Sequence, residues 1–143
     1  MQSTFTRATL ALFALVGFVT GVWACFLPDS FYLDFPGFRS GWVSADGPFN
    51  EHLIRDVGAM FLALGVIAAG ALGMKTTSAA RLAGAAWLVL SVPHTTYHLV
   101  HLHVLEPVDQ VLNAVGLVAG TLAALAVLLL PGKRRAPVAA SAQ

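Results

Sequence analysis

A single cysteine, Cys25, leaves this 143-residue chain unable to form an internal disulfide or a thiolate cage for zinc. Charge is just as scarce. Asp, Glu, Lys and Arg make up 10% of the residues, against about 25% in soluble globular domains. The formal net charge is only +1, so there is no basic surface for a nucleic-acid backbone. Strand-like alternation is missing, which argues against a membrane barrel. No internal repeat relates the two halves, which weakens an inverted-repeat transporter reading. A domain this small has much surface for its volume and needs polar residues to cover it. With 57% of its residues apolar and a mean hydropathy of +0.77, the chain is neither a soluble enzyme nor disordered. The composition points to an all-α integral membrane protein.

Four stretches are free of formal charge: Ala8 to Leu27, Val57 to Met74, Leu82 to Leu105 and Val111 to Leu130. Each falls within the ~17–25 residues that a helix rising ~1.5 Å per residue uses to cross the hydrocarbon core. The boundary signals extend them to helices over about 8–27, 51–74, 80–104 and 108–130. Asn50 is placed to cap the second helix, and Thr77 or Ser78 the third. Pro107 suits the first turn of the fourth, and Pro131-Gly132 its end. The second and third connections are short, so neighbouring helices run antiparallel. The expected domain is a four-helix transmembrane bundle over 1–132. An outer loop over 28–49, rich in Gly, Pro and aromatics, folds across one end of it at headgroup level.

Charge placement sets the expected orientation. Arg7, Lys75, Arg81, Lys133, Arg134 and Arg135 flank one side of the bundle. All seven acids (Asp29, Asp34, Asp46, Glu51, Asp56, Glu106, Asp109) fall toward the other, with only Arg39 and Arg55 as bases there. The positive-inside rule then puts both termini in the cytoplasm and the acidic loops outside. Residues 133–143 read as a disordered, Ala-rich tail with a basic start. The first span has a competing reading as a cleaved signal sequence, with Ala24 before Cys25, but Trp23 fits such a site poorly.

Small residues are placed for helix packing. Gly17 and Gly21 form one GxxxG, and Gly116 and Gly120 another. Such pairs serve either intrachain packing or a homodimer or partner face, since lipid gives helices no hydrophobic reason to associate.

The informative polar residues are histidines. His94, His98 and His101 stand at i, i+4 and i+7, within one arc of a helix, while His103 falls on the opposite face. His94 lies about 20 Å along the helix from Arg81, at a depth where an unsatisfied polar group is costly. Glu51 and Arg55, and His52 and Asp56, are i,i+4 pairs at the start of the second helix. Asp109 and Asn113 open the fourth. In an antiparallel bundle all of these meet at the outer end.

Imidazoles with carboxylates can ligate a transition metal, or one or two histidines can hold a haem. On this reading His94, His98 and His101 are the ligands, Asp56 or Asp109 is a ligand or orienting acceptor, and Glu51, His52, Arg55 and Asn113 support them. The same groups can relay protons. Two other readings stand beside these. One is a non-catalytic accessory subunit of a larger membrane complex. The other is a small carrier or lipid-ligand binder with an apolar cavity beneath the polar groups.

The stretch Glu51-His-Leu-Ile-Arg55-Asp-Val-Gly58, leading into a span with Leu64-Gly65 after a long outer loop, resembles the DoxX-like small four-helix membrane proteins. The resemblance covers the topology of nearly the whole chain. It implies a four-helix bundle in a bacterial plasma membrane, with activity largely unassigned. The histidine face is not part of the resemblance.

Overall fold

The computed structural model describes residues 1–130, and all the regular structure in them is helical. The basic stretch and tail over 133–143 lie outside the described residues. Helix α1 spans Thr4–Phe26, with the Ser3 side chain accepting from the Thr6 N–H. A short α2, Pro28–Asp34, follows at once with Pro28 in its first turn. Residues 35–50 are irregular. Helix α3 is Glu51–Met74, α4 is Thr77–His101 and α5 is Pro107–Leu129. A 3-10 turn, Leu102–Val104, joins the last two.

The caps follow from side-chain chemistry. Asn50 accepts from the Leu53 N–H at the start of α3. Thr76 does the same for Ala79 at the start of α4, one residue earlier than the sequence suggests. Lys75, at φ 59°, makes the left-handed turn between α3 and α4. The Gln2 side chain reaches across the same end and donates to the carbonyls of Ala71 (2.7 Å) and Thr76 (3.1 Å), so the first residues are tied to the α3–α4 turn.

Helix α1 lies along α3, α4 along α5, and α3 along α4. The first two pairs are antiparallel. Gly17 meets Phe61 and Gly65, while Gly21, one turn on, meets Gly58 and Leu62. Likewise Gly84 faces Ala124 and Leu128, and Thr95 bonds the Leu117 carbonyl and the Thr121 hydroxyl. A Cβ at Gly17 would sit 2.7 Å from the Gly65 backbone, so α1 and α3 touch main chain to main chain. The Gly17/Gly21 motif is thus taken up inside the chain, which is the intrachain-packing alternative of the two. Gly116 and Gly120 meet nothing within 4 Å.

Leu10, Phe13, Ala14, Leu64, Ala68, Ala71, Ala80, Ala83, Trp87, Ala124 and Val127 form the main core, with the rings of Phe13 and Trp87 stacked at 4.4 Å. A smaller cluster of Ala24, Phe31 and Ile54 sits under the loop, backed by Trp23, Tyr32, Phe35 and Val43. Large apolar side chains also cover the outside of every long helix, among them Leu15, Val66, Val89 and Val115. Such a surface is stable in lipid rather than water.

Helices α1, α3 and α5 are long and apolar enough to cross a membrane, which marks the chain as a multi-pass membrane protein. Helix α4 is as long but less apolar. Ser91, His94, Thr95, Thr96, His98 and His101 dilute its second half.

Candidate functional site

The loop over residues 35–50 and the helix ends it covers bring the polar residues together, though not as one cluster. From α4, His94 and His98 lie edge to face with ring centroids 4.6 Å apart, both partly buried. Nδ1 of His98 stands 3.6 Å from Oδ2 of Asp46 in the loop, with the two side chains 17% and 23% exposed. Asp46 therefore bridges the irregular segment to α4. A second bridge runs from Arg39 to Asp109 in the first turn of α5, where the carboxylate side chain is 8% exposed. The Arg39–Asp109 ion pair and the Asp46–His98 contact fasten the loop onto the α4–α5 hairpin.

The third histidine leaves the arc. Nδ1 of His101 is 2.8 Å from the Tyr97 carbonyl of its own helix, and its ring stacks on Tyr97 at 4.2 Å. A ring held this way stays near the helix surface. His103, in the 3-10 turn, lies 6.1 Å from His101.

The charged start of α3 goes elsewhere too. Arg55 bonds Glu51 (Nη2 to Oε1, 2.8 Å) and donates to the Cys25 carbonyl near the end of α1. It serves as a clamp between two helix ends, where a cation is favoured by the carbonyl dipoles. The Cys25 thiol returns a bond to the Arg55 carbonyl at 3.3 Å. His52 pairs with Asp56 at 3.3 Å, but these side chains are 88% and 63% exposed.

The five expected metal ligands are thereby divided. Asp56 is engaged by His52, Asp109 by Arg39 and His101 by a backbone carbonyl, leaving only His94 and His98 adjacent. Among the described residues no three His, Cys, Asp or Glu side chains form a group able to hold a metal ion. The expected convergence of His94, His98, His101, Asp56 and Asp109 on one metal ion is therefore not shown among the described residues. Asn113 does reach the interior, 6% exposed, and its Oδ1 has no hydrogen-bond partner. Buried polar atoms without partners are uncommon and call for water or a ligand.

Beside the Asp46–His98 pair lies an open cleft of about 470 Å³. Its walls are Tyr32, Val43, Pro48, Phe49, Leu53, Ile54 and Tyr97, with Asn50 and Asp46 as polar members. The Tyr32 hydroxyl donates to the Gly47 carbonyl at 2.8 Å, and its ring meets Phe49 edge to face at 5.3 Å. That contact holds the 47–49 turn over the cleft. Its volume and largely apolar lining match those of small-molecule sites.

Arg39, Trp42 and Asp46, together with the cleft, are the parts that sequence reasoning missed. Arg39 carried a usable signal, as one of only two bases among seven acids at that end. Asp46 carried none, because an irregular loop has no periodicity to say which helix it touches. Comparison with protein families, curated proteins and solved structures finds no match for this chain.

Proposed function

We propose that this protein binds a small amphipathic molecule from the outer leaflet, in the cleft between the loop and α4. The carrying observation is the cleft itself: about 470 Å³, walled by aromatic and aliphatic side chains, with the Asp46 carboxylate on one wall. The apolar body of the ligand lies against Phe49, Leu53 and Tyr97. Its polar end hydrogen-bonds at Asp46, which stands beside His98 of α4. This is the carrier or lipid-ligand reading. It gains over a metal centre because apolar walls with few polar groups suit an organic ligand, whereas a metal needs convergent donors.

The reading includes four membrane spans in a bacterial plasma membrane, with both termini cytoplasmic, as the DoxX-like resemblance and the charge distribution imply. The placement of polar residues on α4 supports its crossing. His94, Thr95 and His98 are turned inward, while Leu82, Val89 and Val92 are exposed, and the exposed Thr96 hydroxyl is satisfied by the Val92 carbonyl of its own helix.

The test is photolabelling of the full chain in phosphatidylcholine nanodiscs with a long-chain alcohol carrying a diazirine. Saturable labelling of peptides containing Phe49–Ile54 and Tyr97, competed by unlabelled alcohol and lost in Leu53→Trp, is the expected result. Labelling spread without saturation over the outward faces of α1, α3 and α5 would sink the reading.

A further inference from the structure

The cleft described above carries a charge bias that its apolar walls do not require. Asp46 is the only charged residue that lines it. The cap end as a whole holds seven acids and two arginines. Both arginines are already committed, Arg39 to Asp109 and Arg55 to Glu51, so neither is free to receive an anion. The remaining counter-group, His98, stands 3.6 Å from Asp46, beyond ordinary hydrogen-bond reach.

The walls point the same way. Tyr32, Phe49 and Tyr97 contribute three aromatic rings to one small space. Aromatic faces are electron-rich and attract organic cations, most strongly where water is partly excluded. A carboxylate with 23% of its side chain exposed has lost much of its hydration, and an organic cation restores the lost stabilisation at little desolvation cost of its own. An anion there would meet Asp46 with no base to offset it. A neutral polar head would hydrogen-bond but gain nothing from the rings.

We infer that the occupant of this cleft is a lipophilic cation, an alkyl or aryl amine or quaternary ammonium, selected by Asp46 and the Tyr32–Phe49–Tyr97 walls. The inference rests on the ligand-binding reading and adds the charge of the ligand to it.

The experiment uses three diazirine probes of one chain length, ending in trimethylammonium, hydroxyl and sulfonate. They are applied to the full chain in nanodiscs of neutral phosphatidylcholine, so that membrane charge does not concentrate any of them. The ammonium probe is expected to half-saturate the Phe49–Ile54 and Tyr97 peptides at about a tenfold lower concentration than the alcohol. The sulfonate should fail to saturate. In Asp46→Asn the ammonium and alcohol values should fall within about threefold of each other, with cooperative thermal unfolding of the variant as proof that the fold persists. Asp56→Asn, an exposed acid outside the cleft, should leave the preference intact.

Equal half-saturation by ammonium and alcohol in the wild type overturns the cation assignment while leaving the cleft as a binding site. A preference that survives Asp46→Asn overturns the role of Asp46. Absence of saturable labelling by all three probes overturns the cleft reading itself, and this inference with it.

Discussion

At the end nearest the α3–α4 turn, the long helices meet through alanines, Leu10, Val127 and the stacked rings of Phe13 and Trp87. At the cap end they are joined by Arg39–Asp109 and Asp46–His98, and an aromatic-walled cleft lies open. A bundle built only for stability has no use for the second arrangement. Close packing of small residues supplies cohesion where lipid cannot, whereas buried ion pairs roughly break even and leave the molecule sensitive to losing one partner. The contrast separates the part of the chain that holds the fold from the part available for chemistry.

The strongest way to break this comparison is at the packed region. Gly17→Leu drives a side chain into the Phe61 and Gly65 backbone, and overpacking against main chain cannot be relieved by a rotamer change. We expect a loss of about 3 kcal/mol or more, read as a large fall in Tm by circular dichroism in mild detergent. Gly116→Leu, whose new side chain meets open space, should stay within about 0.5 kcal/mol of wild type. Equal effects of the two would mean that the α1–α3 contact does not organise the fold.

At the cap end the largest effect should come from Arg39→Gln, which strands the buried Asp109 carboxylate. A loss of about 2 kcal/mol is expected, with at least half recovered in the double variant Arg39→Gln/Asp109→Asn. Additive losses in that cycle would show that the two side chains act independently and that the loop is not fastened through them.

The legible parts of the molecule are those with a period. The long apolar helices, the Asn50 cap and the first-turn Pro107 could all be read from spacing and cap chemistry. So could the close approach at Gly17 and Gly21, though not whether α3 or a second copy would fill it. The site was legible only in part. The i, i+4, i+7 spacing brought His94 and His98 together, but it could not show that His101 would turn onto the Tyr97 carbonyl. Helical phase fixes where a Cβ points and not which neighbour the imidazole finds. The loop was less legible still: its glycines at Gly37 and Gly41 adopt positive φ, and such turns depend on contacts made across the fold.

The smallest expected effect sharpens the comparison between two histidine–carboxylate pairs in the same protein. His52–Asp56 is closer, at 3.3 Å against 3.6 Å for His98–Asp46, yet its side chains are 88% and 63% exposed where the other pair's are 17% and 23%. Distance alone predicts that the α3 pair matters more. Solvent reverses the order, because water screens an exposed pair and its side chains lose entropy in holding one geometry. Asp56→Asn should therefore change stability by about 0.5 kcal/mol or less and vanish into scatter at high salt. Asp46→Asn should cost about 1 kcal/mol, largely insensitive to salt, because its carboxylate is shielded and fastens the loop to α4. Thermal unfolding of both variants at low and high ionic strength measures the difference. A salt-sensitive, equal response from the two would mean that the Asp46–His98 contact is as wet as a surface pair, and that the cap end is open to water throughout.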